Sequence, residues 1–452
     1  MRTGDATGEW IDEHAVNRTL AAARERADAK AVRDVLAKAE ATAGLDASEV
    51  AVLMGISDPE LLGELFAAAR RVKEFIYGRR LVVFAPLYVS NLCANECLYC
   101  AFRAKNSAVQ RRALSQTEIA REVEALVDQG HKRVLLVAGE AYPRQGFDYI
   151  LESIDTVYSV HKDHGEIRRV NVNVAPLTIE EFRQLKAKGI GTYQIFQETY
   201  HRETYAQVHL DRAMEAGIDD VGIGVLFGLH DWRFEVLAMM QHIAHLEQRY
   251  GVGPHTISVP RLEPATGSSI AEQPPHAVDD TDFRKLVAIL RLAVPYTGLI
   301  MSTRETPHIR RETFALGVSQ ISAGSRTDPG GYSEGEAMGE QFSLGDHRNL
   351  DEVIGDVAEL GYLPSFCTGC YRLGRTGADF MDLAKPGAIK AHCDPNAVST
   401  FQEYLLDYAT PQTRSRGEEL IERAVAEMEP QVASHTRAML AKVRSGRRDV
   451  YC

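Results

Sequence analysis

Short runs of apolar and β-branched residues alternate with longer amphipathic segments along most of the chain. An apolar run of strand length, followed by apolar positions at helical spacing, is typical of a βα unit. The runs expected to form strands lie at 81–89, 133–138, 168–174, 192–197, 220–226, 255–260, 298–303 and 318–323. Because a helix separates each strand from the next, we expect the strands to be parallel.

The segments between these runs carry helix signals. Ser115 followed by Glu118, and Thr178 followed by Glu181, match the capping-box pattern at a helix start. Residues 348–361 supply the helix after the eighth strand. Eight strand–helix pairs predict either a closed barrel or a doubly wound open sheet.

Chain length favours the barrel. Residues 79–365 are close to the roughly 250 residues of a typical (β/α)8 barrel. We therefore predict an α/β fold with a TIM-type (β/α)8 barrel, and the open sheet remains the alternative. The flanking segments are expected to be an N-terminal helical extension at 1–78, with helices at 8–43 and 59–77, and a small α-helical C-terminal domain at 366–452, with helices at 396–408, 411–427 and 430–445.

The composition is that of a globular protein, with 45% hydrophobic and 25% charged residues in a chain of 452. A net charge of -12 argues against nucleic acid or an anionic membrane as the main partner, since both favour basic surfaces. No apolar run approaches the about 20 residues of a membrane helix, and the first forty residues lack a signal-peptide core. We expect a cytoplasmic protein.

The seven cysteines fall into two groups of three, with Cys452 alone at the end. A disulfide framework is typical of small secreted chains, whereas clustered thiols in a larger cytosolic protein are more often metal ligands. The cysteines therefore predict two metal sites.

The first group is C-x3-C-x2-C at Cys93, Cys97 and Cys100, just after the first expected strand. Active sites of (β/α)8 barrels lie at this C-terminal face. Structural zinc normally has four protein ligands, so three thiolates with an open position favour a [4Fe–4S] cluster. Zinc and unligated thiols are the alternatives.

With Tyr99 as its aromatic residue, the motif C-x3-C-x-aromatic-C after the first barrel strand resembles the radical S-adenosylmethionine (SAM) superfamily. The resemblance implies that the open iron binds SAM, which is cleaved to a 5'-deoxyadenosyl radical. Taken alone, a glutamate at a strand end is more often a surface ion-pair partner, and a strand glycine often marks close packing. The residues that the resemblance assigns to SAM are Tyr99, Glu140 after Gly139, Glu198, Arg212, Gly222 and Gly224.

The second group is C-x2-C-x22-C at Cys367, Cys370 and Cys393. The spacing by itself leaves open an iron–sulfur cluster or zinc, because His392 or Cys452 would supply a fourth zinc ligand. The second metal site is thus ambiguous on spacing alone.

The surrounding sequence is more specific. The segments SFCTGCYRLGRTGADFM, VAGEAYP, DDVGIGVLFGL and GPHTISVPR resemble the radical SAM tyrosine lyases that mature [FeFe]-hydrogenase, from about residue 45 onward. The resemblance implies an auxiliary [4Fe–4S] cluster on the second triad, with an additional iron held by free L-cysteine and by His255. Without it, a histidine at a strand end is more often structural.

The implied reaction cleaves L-tyrosine at Cα–Cβ to p-cresol and dehydroglycine, which becomes CO and cyanide at the auxiliary cluster for H-cluster assembly. By analogy, Tyr88, Arg304 and Ser322 hold the substrate, and an arginine suits a carboxylate. The competing interpretations are that Arg304 pairs with Glu305 and that Tyr88 belongs to the core. The implied partners are an electron donor such as ferredoxin or flavodoxin, and other hydrogenase maturases including a GTPase scaffold.

One position departs from the family pattern, and two other functions compete. Glu263 stands where relatives tend to carry a basic residue, which we expect to affect fragment transfer. A tyrosine lyase of the thiamine-pathway type needs only the first cluster, so the second triad and His255 argue against it. The open first site argues against a non-enzymatic iron–sulfur or zinc-stabilised scaffold.

The glycine-rich stretch 324–348 predicts a functional loop.

Overall fold

The computed structural model describes residues 11–26, 28–163, 165–201, 220–335 and 339–452. Arg212, which the sequence assigns to SAM, lies outside the described residues. Within the described ranges, no helix is both long and apolar enough to span a bilayer.

In the described chain four helices precede the barrel. They are α1 Glu13–Arg26, α2 Ala29–Glu40, α3 Ala47–Met54 and α4 Pro59–Tyr77. The expectation of one helix over 8–43 is wrong, because the Asp28 carboxylate accepts the Ala31 N–H and begins a new helix. The helix α3 was not predicted. The helix α4 begins after Asp58 and ends at Gly78, whose φ of 62° is readily adopted by glycine.

Eight parallel strands of the described chain form the barrel. They are β1 Arg80–Ser90, β2 Arg133–Ala138, β5 Arg169–Asn173, β6 Tyr193–Gln194, β7 Val221–Gly224, β8 Thr256–Ser258, β9 Gly298–Met301 and β10 Val318–Ser322, and a small hairpin, β3 His161–Lys162 and β4 Gly165–Glu166, interrupts the order. The barrel closes because β10 pairs with β1, with Val83 opposite Ile321. This pairing confirms the barrel and rules out the open sheet.

Helices cover the outside of the barrel. The described ones are α5 Gln116–Asp128, α6 Asp148–Ser159, α7 Ile179–Ala187, α8 Trp232–Tyr250, α10 Asp280–Ala293, α11 Pro307–Leu316 and α12 Leu350–Glu359, whereas the short α9 Ser269–Glu272 lies beside the first cysteine loop. The capping boxes predicted at Ser115 and Thr178 are both present. The strand expected at 192–197 is shorter in the structure, although the Ile195 and Gln197 N–H groups still donate to β7 carbonyls.

A further strand, β11 Leu363–Ser365, was not predicted and pairs with the first residues of β1. Five helices follow it in the described chain: α13 Gly369–Arg372, α14 Gly377–Ala384, α15 Lys390–Asp407, α16 Pro411–Ala426 and α17 Pro430–Arg444. The start predicted at 396 is wrong for α15, because the Cys393 N–H already bonds to the Ile389 carbonyl and Pro395 lies inside the helix. The strand β11 thus leads the chain to the lower, N-terminal mouth of the barrel.

Alternate residues of β1 point into the barrel, as the two-residue period of a strand requires. Arg80 and Val82 line a cavity at the lower mouth, whereas Phe84, Pro86 and Tyr88 line a central cavity above it. Since a strand rises by about 3.3 Å per residue, Arg80 and Tyr88 are about 26 Å apart along β1. The first strand therefore spans the distance between the two mouths.

Candidate functional site

The first cysteine triad lies in the loop after β1, at the upper, C-terminal mouth of the barrel. Cys93, Cys97 and Cys100 are all partly buried and reach a shared cavity, the upper cavity. Burial raises the pKa of the Cys97 thiol, and raises the pKa of Cys100 to about 11. Because metal ligation requires thiolates, a metal centre bound here would have to offset the cost of burying the charged sulfurs of Cys97 and Cys100.

A glycine makes room beside this loop. The Gly139 N–H donates to the Ser90 carbonyl over 3.0 Å, and a Cβ at position 139 would lie 2.2 Å from the Leu92 carbonyl oxygen. The next residue, Glu140, is exposed and accepts a hydrogen bond from the Asn95 amide. Three thiols, a backbone cradle without a side chain and a carboxylate thus fit a cluster whose open iron binds an amino acid group such as that of SAM.

The other residues assigned to SAM are divided between two places. Tyr99 and Glu198 line both the upper and the central cavity. Glu198 has a φ of 58°, and burial raises its pKa to about 7. Gly222 and Gly224 lie in β7, where a Cβ would come within 2.6–2.7 Å of neighbouring side chains. Close packing between strands explains why both positions lack a side chain, and their assignment to SAM stays a prediction.

The three residues predicted to hold the substrate line one cavity. Tyr88, Arg304 and Ser322 surround the central cavity, which adjoins the upper cavity at Tyr99 and Cys100. The Ser322 hydroxyl accepts the Thr303 N–H over 3.1 Å. A space beside the first triad is therefore lined by an arginine, a phenol and a hydroxyl.

Arg304 does not pair with Glu305. The carboxylate of Glu305 binds Arg261 instead, and the Arg304 guanidinium lies 3.2 Å from the centroid of the Phe342 ring. Burial lowers the pKa of Arg304, although Tyr88 and nearby carboxylates oppose this shift. Among the described residues it forms no ion pair, which leaves its guanidinium available to a carboxylate in the cavity.

Sequence reasoning missed Gln341. Its side-chain oxygen accepts the Tyr88 hydroxyl over 2.7 Å, and its amide donates to the Cys100 sulfur over 3.7 Å. The residue belongs to the loop 324–348 that was expected to be functional. The glycine content of that loop was the available signal, and nothing in the local pattern distinguished Gln341 from its neighbours.

Glu263 lies close to Glu305 and Arg304. Burial, followed by the neighbouring Glu305 charge, raises its pKa to about 7. A carboxyl group that is partly protonated near neutral pH carries less negative charge than an ordinary, fully ionised glutamate.

The second triad lies at the opposite mouth. Cys367 and Cys370 follow β11, Cys393 belongs to α15, and all three line the lower cavity. Burial raises the pKa of Cys367 to about 11. The hydrogen bond between Cys370 and Cys393 raises the pKa of Cys393 and lowers that of Cys370. The three thiols are therefore close enough to influence one another's pKa values.

Two buried arginines beside this triad were also missed. Arg80 pairs with Asp394 over 3.3 Å, and an N–H of Arg133 donates to the Cys367 carbonyl over 3.0 Å. Both stand at the first position of a strand and line the lower cavity. Three thiols facing two guanidinium groups fit an anionic iron–sulfur cluster. Arginines at strand starts were visible in the sequence, but their inward direction was not.

His255 precedes β8 and faces the same cavity. Its Nε2 is 3.2 Å from the Tyr371 hydroxyl, and its ring centroid is 4.5 Å from that of Phe380. The other suggested ligands lie elsewhere: the Cys452 thiol donates to the His392 carbonyl over 3.9 Å, and neither residue is among the described side chains lining the lower cavity. In the described chain no three His, Cys, Asp or Glu side chains converge as ligands of one metal ion.

Comparisons with known proteins agree with this geometry. A family model of the radical SAM superfamily matches residues 87–238, and one of the biotin and thiamin synthesis associated domain matches residues 258–363. The 2-iminoacetate synthase of Salmonella typhimurium is 32% identical over 356 residues, which cover 75% of this chain and 92% of that protein.

Two crystal structures are similar over nearly the whole chain. HydG, a maturase of the [FeFe]-hydrogenase, superposes with a TM-score of 0.94 at 46% identity, covering 98% of this chain and 100% of that chain. HydG from Carboxydothermus hydrogenoformans has a TM-score of 0.81 at 40% identity, covering 95% of this chain and 98% of that chain. The chain therefore belongs to the HydG family of the radical SAM superfamily.

Proposed function

We propose that this chain is a radical SAM lyase that cleaves L-tyrosine at Cα–Cβ to p-cresol and dehydroglycine and contributes to [FeFe]-hydrogenase maturation. Its dehydroglycine is converted to CO and cyanide at a second cluster for H-cluster assembly. The observation that carries the proposal is one barrel with a three-thiol site at each mouth and cavities between them. Kinship with HydG and 2-iminoacetate synthase supports it.

At the upper mouth, Cys93, Cys97 and Cys100 would hold a [4Fe–4S] cluster, and Glu140 would bind the amino group of SAM. When bound, cluster and SAM supply a 5'-deoxyadenosyl radical. The chain's part is to place tyrosine within reach: Arg304 would bind the substrate carboxylate, while Tyr88 would contact its other polar groups. Apolar side chains such as Phe84, Leu135 and Leu226 in the lining of the central cavity would limit the access of water to the radical.

At the lower mouth, the second triad would hold the auxiliary [4Fe–4S] cluster, with His255 and free L-cysteine as ligands of an additional iron. When bound, this cluster would supply the iron needed for the formation of CO and cyanide. Arg80 and Arg133 would compensate its negative charge, because both guanidinium groups are buried beside the thiols. Dehydroglycine would travel from the central to the lower cavity along the inward face of β1. On that face Phe84 lines the central cavity, and Val82, two residues earlier, lines the lower cavity.

Proteins acting before and after the chain follow from this chemistry. An electron donor of the ferredoxin or flavodoxin class would reduce the first cluster. The product would pass to other hydrogenase maturases, including a GTPase scaffold. Both are protein partners, and the mechanism requires neither nucleic acid nor a membrane.

The competing lyase of the thiamine-pathway type would release dehydroglycine and has no use for the second triad. The position of Cys367, Cys370 and Cys393 with His255 around one cavity favours the hydrogenase role. A non-enzymatic scaffold is disfavoured, because Arg304 lies beside an open cavity next to the first triad.

The test is anaerobic reconstitution with iron and sulfide, followed by SAM, dithionite and L-tyrosine. We expect 5'-deoxyadenosine, p-cresol and CO, and absence of the first two products would refute both lyase functions. Replacing Cys367 and Cys370 together by Ala should abolish CO while p-cresol is still made. The matched control is Cys452→Ser, which should keep CO. Equal loss of both products in the double variant would instead indicate a structural metal.

A further inference from the structure

The two ring nitrogens of His255 face different groups at the lower mouth. Nε2 is 3.2 Å from the hydroxyl of Tyr371, the residue after Cys370. Nδ1 is 3.9 Å from Oδ2 of Asp220, whose side chain is only 4% exposed. The imidazole therefore stands between a carboxylate on the barrel and a phenol on the cysteine loop.

Asp220 is held in place from one side. Its Oδ1 accepts the Thr192 hydroxyl over 2.8 Å, and its backbone carbonyl accepts the Tyr193 N–H over 3.1 Å. Its Oδ2 is buried and accepts no hydrogen bond from the described residues. A carboxylate oxygen that is desolvated and aimed at an imidazole nitrogen is an acceptor for an N–H at that nitrogen.

The hydrogen-bond roles at His255 are mutually consistent. A tyrosine hydroxyl that donates to Nε2 requires a lone pair there, which places the ring hydrogen on Nδ1. In that tautomer the Nδ1–H faces the carboxylate of Asp220. A neutral imidazole with a free Nε2 lone pair is also the form that binds a metal ion.

We propose that Asp220 is a positioning residue for His255, holding the Nδ1–H so that the Nε2 lone pair faces the second triad, and that the Tyr371 hydroxyl covers this lone pair until iron replaces it. The inference rests on the proposed function, since it requires the additional iron. Metal-binding histidines commonly donate their other N–H to a carboxylate, which fixes the ring orientation. The two atoms are 3.9 Å apart, so the inference requires this distance to shorten to a hydrogen bond when iron binds.

A simpler role for Asp220 is to neutralise Arg169. The Arg169 guanidinium is buried, lies over the Tyr371 ring and reaches the same Oδ2 at 3.9 Å. In that case Asp220 would affect the site only through charge. Removing both charges together separates the two explanations.

The experiment uses protein with both clusters reconstituted, titrated anaerobically with ferrous ions alone. Iron bound beyond the clusters is counted, and the EPR signal of the second cluster reports its binding constant. Asp220→Asn should weaken this binding by about 10- to 100-fold. The physical reason is that the new carbonyl still accepts from Thr192, so the amide NH2 faces Nδ1 and drives the ring hydrogen to Nε2.

Tyr371→Phe provides a variant with the opposite expectation. Without the hydroxyl, iron no longer competes with a hydrogen bond, so binding should tighten by about fivefold, the equivalent of about 1 kcal/mol. A merely structural weakening of the lower mouth would not produce tighter binding. Acid-labile sulfide content, equal in all variants, shows that the clusters are retained.

The double variant Arg169→Met with Asp220→Asn should bind iron as weakly as Asp220→Asn. Recovery of normal binding would show that Asp220 only neutralises Arg169 and would overturn the inference. Unchanged binding in Asp220→Asn would overturn it as well, while leaving the proposed function intact. If the unsubstituted protein itself binds no additional iron, the proposed second site fails, and this inference fails with it.

Discussion

The hydroxyl of Tyr88 donates a hydrogen bond to the side-chain oxygen of Gln341 over 2.7 Å. Tyr88 belongs to β1 and Gln341 to the loop after β10, so the bond joins residues far apart in the chain. Through its amide, Gln341 also reaches the Cys100 sulfur. One side chain thus links the wall of the proposed substrate cavity to the loop of the first triad.

Removal of this link tests its contribution to tyrosine cleavage. In Gln341→Ala the buried Tyr88 hydroxyl loses its acceptor, which costs about 1–3 kcal/mol. We expect kcat/KM for p-cresol formation to fall by about 10-fold or more. Gln110→Ala, at an exposed position, is the control and should behave like the unsubstituted enzyme. Equal rates in the two variants would show that the hydrogen bond has no part in substrate positioning.

Arg304 tests how the substrate carboxylate is bound. Arg304→Lys keeps a positive charge but loses the two-pronged geometry that matches a carboxylate. We expect kcat/KM for tyrosine to fall by about 10- to 100-fold, because a charge-assisted hydrogen bond contributes about 1.5–3 kcal/mol. The measurement is p-cresol formation at varied tyrosine concentration. An unaltered tyrosine dependence would exclude Arg304 as the carboxylate ligand.

Gly139 tests the backbone cradle beside the first triad. In Gly139→Ala the new Cβ would lie 2.2 Å from the Leu92 carbonyl oxygen, so the cysteine loop must shift. Such overpacking costs about 1–3 kcal/mol. We expect weaker SAM binding, seen as a smaller change in the EPR spectrum of the reduced first cluster when SAM is added. The control is Gly63→Ala, because a Cβ at position 63 lies in open space. A SAM response in Gly139→Ala equal to that of Gly63→Ala would contradict the cradle.

The buried carboxyl group of Glu235 is expected to make the free energy of unfolding depend on pH. Burial raises the pKa of this glutamate to about 7, although Thr199 and the Tyr200 N–H donate to its carboxylate. Between its ordinary value of 4.5 and 7, the folded chain keeps a proton that the unfolded chain has lost. The free energy of unfolding therefore falls as pH rises through this window, by at most about 3 kcal/mol from this residue.

Urea denaturation at several pH values across the window checks this expectation. Glu235→Gln cannot ionise and should lose the corresponding part of the slope. Glu124→Gln, at an exposed site, should keep it. Parallel stability curves for Glu235→Gln and the unsubstituted protein would mean that Glu235 is not protonated in the folded chain.

Local patterns were sufficient for the eight barrel strands, for the capping boxes at Ser115 and Thr178, and for both cysteine triads. Strand alternation and helix capping depend on a few neighbouring residues, so both can be recognised in the sequence without knowledge of the fold. The same locality explains the misses. The break at Asp28 and the start of α15 before Pro395 depend on hydrogen bonds that compete with the longer pattern.

Barrel closure settled what local patterns left open. It places the two triads at opposite mouths and turns the side chains of Arg80 and Arg133 inward beside the second triad. It also makes Arg304 line the central cavity, while Glu305 pairs with Arg261. It also brings Asp220 and His255 within 3.9 Å of each other. These pairings join residues from different strands and loops, and the interactions form only once the strands are in register. Because the partners are far apart in the sequence, no local pattern predicts them.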